Sequence, residues 1–488
     1  MTAPSLLRVA RPKALKPLRV TFVRGYATEL KPNLQYTKVT HPDSDAPAST
    51  HSLIKDHSQY LLNTYVRPPL LFTKGKGLVL TDSSNREYLD FTAGIAVTAL
   101  GHSDEGVNRV INDQASKISH ASNIYWNEHA GELAKSLVEK TRQHGGLGLG
   151  LGPGSGSSTT TSTSAREGDG GDKGGKVFFS NSGTEANEGA LKFARAYGKI
   201  IAPENKDKTD IVCFSNAFHG RSMGALSVTP NPKYQAPFQP LIPNVKVGQY
   251  NEESQEAIDE LINENTCGVI VEPIQGEGGV TQGKIEFLTK VAKRAREVGA
   301  VLIYDEIQCG LFRSGTMWAH SEFPAEAHPD IITMAKPLSN GFPIGAIMVR
   351  STIAAEISPG MHGTTFGGQP LATAIGLHVL DRLSNPDFLS TLRENAKYLQ
   401  GKLERLPQLF GGVLKDELRG TGLIRGIVFQ QANHPAELVK LARERGLLIL
   451  TAGSDAVRLV PALTVSKDQI DQAIGVIESC LSILAENK

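Results

Sequence analysis

The sequence predicts an α/β protein whose large domain contains a mostly parallel sheet and whose smaller domain is α+β. Short, almost wholly apolar segments alternate with helical patterns through the middle of the chain, which is typical of a parallel sheet covered on both faces. Chemically reactive side chains follow several of these segments, at the strand ends where such sheets bind ligands. From about residue 371 onward helical patterns mix with short strands, which predicts the smaller domain.

In chain order, the first predicted elements are a β-hairpin over residues 75–90, where apolar segments flank an Asp/Ser/Asn turn, and helices over 105–140. The predicted strands of the main sheet are 176–179, 210–214, 268–271, 301–304, 331–334 and 344–349. The predicted helices between them include 184–197, 253–264 and 285–298. The predicted C-terminal strands are 422–429, 447–450 and 457–460.

The composition excludes several classes of protein. With 488 residues the chain exceeds one ordinary core, so two or more domains are expected. A formal net charge of +1 predicts no attraction to nucleic acid or to a membrane surface, and no apolar run approaches the roughly 20 residues that span a bilayer. The cysteines are far apart and form no C-x-x-C, so we expect reduced thiols rather than disulfides or a metal site.

The N-terminus predicts a mitochondrial transit peptide over residues 1–26, and hence a location in the mitochondrial matrix. Six basic residues and no acidic residue precede Glu29. Prolines weaken the amphipathic helix that such a peptide should form, and a disordered basic tail is the alternative.

A glycine- and serine-rich stretch at 142–176 predicts a flexible surface insertion, because it cannot bury a core. A domain boundary is the alternative, but a helical pattern precedes the stretch and a strand follows it. We therefore expect one large domain over 98–370, and a smaller domain formed by 27–97 together with 371–488.

Lys336 and Asp305 carry the strongest chemical signal. Lys336 follows the apolar segment 331–334 and precedes a Gly/Pro-rich turn, a poor place for a solvated charge, and Pro337 favours an extended backbone there. Asp305 ends another apolar strand, where a carboxylate is costly unless it is paired. A lysine that can form a Schiff base and an aspartate that can keep a pyridine nitrogen protonated are the groups that pyridoxal 5'-phosphate (PLP) requires. The pair predicts a PLP enzyme in which both residues are catalytic.

A strand, a tight turn and a helix start provide a candidate phosphate site. Ser182, Gly183 and Thr184 form either an anion cradle at the helix N-terminus or an ordinary capping box. In a chain that also contains Lys336 and Asp305, phosphate binding is favoured.

Further candidates follow other predicted strands. Phe218 could stack on a flat ring and Arg221 could bind a carboxylate, although a core aromatic and a surface arginine explain the two equally well. Glu277 either lines the site or is a solvated acid in a glycine turn. Gln308 lies one turn after Asp305 and could reach a hydroxyl of the same ring.

Together these segments resemble the class III PLP-dependent aminotransferases, over about residues 65–461. The resemblance implies the type I aminotransferase fold and a homodimer with its sites at the subunit interface. It implies that Lys336 is the Schiff-base lysine and proton shuttle, and that Asp305 partners the pyridine nitrogen. It also implies cofactor contacts from Gln308 to the ring hydroxyl, from Phe218 to the ring face, from Ser182, Gly183 and Thr184 to the phosphate, and from Thr365 of the other subunit to the same phosphate.

The resemblance also implies three substrate contacts. Arg458 binds the carboxylate beside the reacting amine of glutamate, and Glu277 neutralises Arg458 when the other substrate is bound. Arg221 takes the distal carboxylate.

Within the class, residues 94–102 are similar to the signature of the acetylornithine aminotransferase subgroup. Pro337 after the lysine and the glycine-rich insertion depart from the general pattern and, with the transit peptide, suggest the fungal, mitochondrial type. Ile95 stands where ornithine aminotransferases carry a tyrosine that helps to hold a free α-amino group, and Tyr65 matches the subgroup's substrate-site tyrosine. The reaction implied is amino transfer between N²-acetylornithine and 2-oxoglutarate, giving N-acetylglutamate 5-semialdehyde and glutamate, in arginine biosynthesis. An ornithine or 4-aminobutyrate aminotransferase is the alternative, and a non-catalytic binding protein on the same fold is a further one.

Overall fold

The computed structural model describes residues 31–149 and 174–486, so the predicted transit peptide and most of the predicted insertion lie outside the described residues. The strands are β1 (Phe72–Lys76), β2 (Val79–Asp82), β3 (Glu87–Asp90), β4 (Lys176–Ser180), β5 (Asp210–Phe214), β6 (Val245–Gly248), β7 (Thr266–Val271), β8 (Ile274–Gln275), β9 (Thr281–Gln282), β10 (Val301–Asp305), β11 (Ile331–Met334), β12 (Gly345–Val349), β13 (Leu414–Thr421), β14 (Ile424–Phe429), β15 (Leu447–Leu448), β16 (Leu450–Ala452) and β17 (Ala456–Leu459).

The α-helices are α1 (Ala48–His57), α2 (Ala93–Ala96), α3 (Glu105–Ala115), α4 (Glu128–His144), α5 (Gly183–Ile201), α6 (Met223–Ser227), α7 (Pro232–Gln235), α8 (Gln255–Leu261), α9 (Ile285–Glu297), α10 (Ser351–Ala354), α11 (Pro370–Leu383), α12 (Pro386–Leu403), α13 (Leu406–Phe410), α14 (His434–Arg443) and α15 (Lys467–Glu486). Short 3-10 turns lie at Asp43–Asp45, Ala236–Phe238, Ala325–Ala327 and Lys336–Ser339. All these elements belong to the unit Pro32–Lys488.

A seven-stranded sheet in the order β4-β12-β11-β10-β7-β5-β6 forms the centre. Strand β12 is antiparallel to both of its neighbours, and the other paired strands are parallel. This confirms the predicted mostly parallel sheet and the predicted α/β fold class. Strand β6 was not predicted, because it lies at the sheet edge and none of its residues is fully buried.

Alternate residues of the central strands face two apolar layers, as the two-residue period of a strand requires. Ile303 of β10 packs in the same apolar layer as the buried alanines of α5. Its neighbours Leu302 and Tyr304 pack in the layer that contains Phe287 and Val291 of α9. Helices on both faces therefore bury these strands completely, and their polar residues are confined to the strand ends.

Two further sheets contain the N- and C-terminal segments. The first has the order β1-β2-β3-β15. In it β15 pairs in parallel with β3, although the two strands lie near opposite ends of the sequence. The second is antiparallel, in the order β13-β14-β17-β16. The predicted hairpin corresponds to β2 and β3 and has an additional strand, β1, on its outer edge.

The chain after β11 differs from expectation. Lys336 begins the 3-10 turn Lys336–Ser339 instead of continuing in an extended conformation, so the expected effect of Pro337 on this residue is wrong. Pro337 is accommodated because the first turn of a helix needs no N–H group at that position. The change of direction occurs at Ala335, whose φ is −160° and ψ is −107°.

No helix within residues 31–149 and 174–486 is long and apolar enough to cross a membrane. Within the same residues, no cluster of His, Cys, Asp and Glu side chains has the arrangement of a metal site.

Candidate active site

Asp305 ends β10 and its side chain is almost completely buried. Its Oδ2 accepts hydrogen bonds from Asn187 Nδ2 and His219 Nδ1, each at 2.8 Å, and its Oδ1 accepts one from the backbone N–H of Ile307 at 3.0 Å. These donors compensate for the burial of a carboxylate. Oδ1 has acceptor capacity left over, which a protonated ring nitrogen can use.

The partners of Asp305 were not predicted from the sequence. Asn187 lies on the buried face of α5 and accepts a hydrogen bond from Thr333 Oγ1 at 2.7 Å, which fixes the orientation of its amide. His219 is buried, and among the described residues its Nε2 has no hydrogen-bond partner. The position of His219 directly after Phe218, in a loop that follows a predicted strand, could have indicated that it belongs to the site.

Glu272 follows β7 and lies beneath the loop that contains Phe218. Its two carboxylate oxygens accept the backbone N–H groups of Phe218, at 2.9 Å, and Gly276, at 3.0 Å. Burial raises the pKa of Glu272 to about 7, although the neighbouring His219 acts in the opposite direction. This glutamate is therefore a buried support for two site loops and not a solvated acid of a turn.

Lys336 is half-buried at the start of the 3-10 turn that follows β11. Burial, and then the positive charge of Arg458, lower the pKa of Lys336 to about 8, against the opposing charges of Glu277 and Asp305. A much larger fraction of this amine is therefore unprotonated near neutral pH than of an ordinary lysine. These interactions also show that the structure brings Lys336, Asp305, Arg458 and Glu277 into one region.

Arg458 lies on β17, and 2% of its side chain is exposed. Its Nη2 donates to Glu277 Oε1 at 2.8 Å, and its Nη1 donates to Gln308 Oε1 at 2.6 Å. Gln308 packs so closely on Gly276 that a Cβ at that glycine would lie 2.3 Å from the Gln308 amide. The resemblance implied the Arg458–Glu277 pair, whereas the contact between Arg458 and Gln308 was not predicted.

The N-terminus of α5 is a capping box. The Ser182 hydroxyl accepts from the backbone N–H of Glu185 at 3.3 Å and donates to the Glu185 carboxylate at 2.9 Å. The hydroxyl of Thr184 contacts the Ser222 hydroxyl at 2.7 Å and joins α5 to the loop after β5. Gly183 and Thr184 are the first residues of the helix, so their N–H groups have no intrahelical acceptor and can bind an anion. Capping and anion binding are thus compatible here.

Phe218 and Arg221 lie on the loop after β5. The Phe218 ring is half-buried and meets Tyr234 edge to face, with ring centroids 6.3 Å apart. The Arg221 guanidinium is exposed and lies 4.2 Å from the Tyr234 ring centroid, a cation–π distance. Tyr234 therefore restrains both side chains, and sequence reasoning did not predict it.

Three predicted site residues lie at the surface of the single chain. Tyr65 and Ile95 are 71% and 42% exposed, and Thr365 is exposed beside Phe366. The neighbouring Thr364 accepts a hydrogen bond from Asn181 at 3.1 Å, so the segment that contains Thr365 is attached next to the α5 N-terminus of its own chain.

The chemistry of this donor set fits PLP. It includes a lysine of lowered pKa, a buried carboxylate with spare acceptor capacity, a half-buried aromatic ring and a helix N-terminus beside the same strand ends. A dinucleotide or metal would need a different set: a glycine-rich pyrophosphate turn or a cluster of ligands.

Comparisons with known proteins identify the family of this chain. The sequence profile of the family described as "Aminotransferase class-III" matches residues 61–481. A mitochondrial acetylornithine aminotransferase of Neurospora crassa is 46% identical over 455 residues, which cover 93% of this chain and 91% of that protein.

Two solved structures illustrate the similarity of the fold. The N-acetylornithine aminotransferase of Stenotrophomonas maltophilia has a TM-score of 0.69 and 29% identity, with 89% of this chain and 100% of that chain covered. An ornithine aminotransferase of Toxoplasma gondii, described with partial occupancy of PLP at its active site, has a TM-score of 0.77 and 28% identity, with 90% and 95% covered. The family profile and the curated relative together show that this chain belongs to the class III aminotransferases.

Proposed function

We propose that this chain is a mitochondrial acetylornithine aminotransferase that uses PLP. It transfers the terminal amino group of N²-acetylornithine to 2-oxoglutarate and gives N-acetylglutamate 5-semialdehyde and glutamate, a step of arginine biosynthesis. Its curated relatives at 40–46% identity are named mitochondrial acetylornithine aminotransferases or probable ones. The structural observation that carries the proposal is the buried Arg458 held by Glu277, because this pair suits two substrates of different charge.

The cofactor, when bound, supplies an electron sink for the bond changes at the reacting carbon. In our proposal Lys336 holds it covalently and moves the proton, and the lowered pKa of the amine suits a base that works near neutral pH. Asp305, oriented by Asn187 and His219, keeps the pyridine nitrogen charged.

The phosphate would be bound by the N–H groups at the start of α5 and by the Ser182–Thr184 turn, with Thr365 contributed by a second subunit. The Phe218 ring would cover one face of the cofactor. Gln308, whose Oε1 already accepts from Arg458, keeps its Nε2 free to donate to the ring hydroxyl.

The two halves of the reaction place different demands on the site. Glutamate presents a carboxylate beside its reacting amine, and Arg458 can bind it bidentately once Glu277 moves away. N²-acetylornithine presents only methylene groups there, and Glu277 then neutralises the buried guanidinium. Arg221, exposed and restrained by Tyr234, is suited to the distal carboxylate in each case.

Ile95 and Tyr65 are the proposed determinants of substrate choice. An apolar side chain beside the α-nitrogen favours a neutral acetamide over an ammonium group, because the ammonium loses more hydration on entering the site. The exposure of both residues in the single chain is consistent with a site completed by a second subunit.

Class III aminotransferases are typically dimers that act on small molecules, and two exposed segments favour a homodimer here. Residues 60–66 and 118–126 expose large apolar side chains, and we call these two segments, with Phe366, the apolar patch: Tyr60, Leu61, Leu62, Tyr65, Val66, Ile118, Ile124, Tyr125, Trp126 and Phe366. The Asn123 amide donates to the Thr364 carbonyl, so the second segment lies directly beside Thr365. A partner that covers this patch would meet Thr365.

We also propose the domain division 98–370 for the large domain, with 27–97 and 371–488 forming the small one. The pairing of β3 with β15 supports the association of the first and last segments.

The experiment that tests the function is the half-reaction of the purified protein with bound PLP. The visible absorption band of the cofactor is followed after addition of N²-acetylornithine, ornithine or 4-aminobutyrate in parallel. A strong preference for N²-acetylornithine is expected. Preference for ornithine or 4-aminobutyrate would contradict the proposed substrate, and a protein that never acquires the band would contradict the proposed role of Lys336.

A further inference from the structure

The four residues of the short segment α2 do not have the right-handed geometry of an α-helix, and all four have a left-handed φ. The φ angles of Ala93, Gly94, Ile95 and Ala96 are 47°, 63°, 66° and 62°. Left-handed conformation is unfavourable for an L-residue with a side chain, and three of these four residues have one. Such a segment persists only where its surroundings hold it, and such strain is concentrated at functional sites.

A buried carboxylate holds the start of this left-handed turn. Asp90 Oδ1 accepts from the Thr92 N–H at 2.8 Å, the Thr92 hydroxyl at 2.6 Å and the Ala93 N–H at 3.1 Å. Asp90 Oδ2 accepts from His102 Nε2 at 2.8 Å. The two carboxylate oxygens of Asp90 therefore accept hydrogen bonds from opposite ends of the segment 92–102. The bond from His102 fixes the orientation of the carboxylate.

The side of the turn opposite Ile95 is attached to the candidate active site. Ala96 is completely buried in a small apolar cluster that includes Cys309, Val460 and Val280. In sequence these three residues are close neighbours of Gln308, Arg458 and Glu277. Ala96 therefore packs against residues that adjoin the site residues in sequence, while the next residue toward the N-terminus, Ile95, is 42% exposed.

The turn is also attached to the segment that contains Lys336. It packs against the 3-10 turn Lys336–Ser339, and Asn340 follows that turn. The Asn340 side chain accepts from the Leu100 N–H at 2.7 Å and donates to the Gly101 carbonyl at 3.0 Å. Asn340 therefore links the residues after the left-handed turn to the residues after the lysine.

We propose that Asp90, His102 and Asn340 are positioning residues for substrate choice, because they hold the left-handed turn that presents Ile95. This inference rests on the proposed function and deepens it. If the turn relaxed to a right-handed conformation, the Cβ of Ile95 would project from the other side of the backbone. The apolar surface that favours an acetylated α-nitrogen over a free ammonium would then be lost.

The test compares His102→Leu with His102→Gln in the full-length protein with bound PLP. Leucine removes the donor to Asp90, whereas the glutamine Nε2 can occupy the place of the histidine Nε2. Half-reaction rates with N²-acetylornithine, ornithine and glutamate are measured, together with amide hydrogen exchange over residues 92–102.

In His102→Leu we expect the ratio of the N²-acetylornithine rate to the ornithine rate to fall about tenfold, the range of one altered pocket contact. The glutamate rate should stay near that of the wild type. The amides of Val97 and Thr98 donate to the Ala93 carbonyl in the wild type, and in the variant they should exchange faster. His102→Gln should restore the ratio.

Equal losses for all three substrates would overturn the proposal, since they indicate only a weaker fold. An unchanged ratio of the N²-acetylornithine rate to the ornithine rate, together with faster amide exchange, would overturn it too. The turn would then have opened without an effect on substrate choice. If His102→Leu does not fold, Asn340→Ala provides the same test from the other side of the turn. A wild type that prefers ornithine would refute the proposed function, while the ratio of variant to wild type would still report on the positioning residues.

Discussion

Arg458 Nη2 lies 2.8 Å from Glu277 Oε1, and the two side chains differ sharply in exposure: 2% for the arginine and 33% for the glutamate. The guanidinium is also fixed by Gln308, at 2.6 Å. Because the glutamate alone has access to solvent, it is the member of the pair that can leave. A buried guanidinium that loses its counter-ion without a replacement costs about 3–5 kcal/mol. A substrate carboxylate is such a replacement.

Glu277→Ala should therefore separate the two half-reactions. The glutamate half should be retained, because Arg458 stays open to its carboxylate. The N²-acetylornithine half should slow by at least about tenfold, because its methylene chain then lies beside an uncompensated buried charge. Single-turnover rates measure both halves, with Glu253→Ala as a control at an exposed acid. A similar loss in both halves would contradict a movable Glu277.

The lowered pKa of Lys336 predicts a pH-dependent stability of the PLP-free protein. The pKa falls from 10.5 to about 8 on folding, chiefly through burial. Between these two pH values the unfolded chain binds more protons than the folded one, so the free energy of unfolding rises with pH across this window. Below about pH 8 the buried ammonium group of Lys336 lowers the free energy of unfolding by its full amount, about 3 kcal/mol for a shift of this size.

Lys336→Met removes this penalty while keeping the length of the side chain. The variant without PLP should be more stable than the wild type at pH 7, and the difference should shrink as the pH approaches 10. Urea unfolding at several pH values measures it, with Lys293→Met as a control at an exposed lysine. A difference that does not change with pH would argue against a lowered pKa. Separately, reduction with borohydride should attach PLP to the wild type and not to the variant.

His219 should act on the cofactor through Asp305. His219→Leu removes one of the two side-chain donors to Oδ2 and leaves a buried carboxylate free to turn. Loss of a hydrogen bond to a charged group is worth about 1.5–3 kcal/mol, so PLP should bind roughly ten- to a hundredfold more weakly. His219→Asn keeps an N–H near the place of Nδ1 and should bind PLP nearly as the wild type does. Equal affinities of the Leu and Asn variants, measured by equilibrium dialysis, would contradict this role.

The central strands were predictable because burial on both faces gives continuous apolar runs, and Asp305 and Lys336 were visible because they interrupt such runs. Strands β1, β6 and β13 were not predicted, since each lies at the edge of its sheet and has exposed, polar positions. Strands β1 and β6 have no fully buried residue and β13 has two of eight, so none of them has the continuous apolar run that predicts a buried strand.

The supports of the site were not predictable for a different reason. Asn187 and His219 reach Asp305 across 118 and 86 residues, and no local pattern marks a hydrogen bond of that kind. The left-handed turn at Ile95 was hidden as well, because alanine and isoleucine do not favour that conformation. Asp90 holds its start locally, and the distant contacts of Ala96 and Asn340 hold the rest.

The apolar patch predicts that assembly and cofactor binding are coupled. Trp126 is 99% exposed in the single chain and lies on the segment attached beside Thr365. Trp126→Asp should convert the proposed homodimer to monomers and weaken PLP binding, since Thr365 of one subunit is proposed to contact the phosphate of the other. Ile285→Asp is the matched control, an exposed apolar residue on α9 outside the patch.

A two-fold axis makes this change larger than a single contact suggests. Burying a tryptophan at the centre of an interface is worth about 2 kcal/mol or more, and in a symmetric dimer each substitution occurs twice. The dissociation constant should therefore rise by about a thousandfold, since 1.4 kcal/mol corresponds to a factor of ten. Sedimentation of both variants measures the assembly, and titration measures the PLP affinity at the same protein concentrations. Monomers of Trp126→Asp that bind PLP as tightly as the wild type would exclude a contribution of Thr365 from the partner.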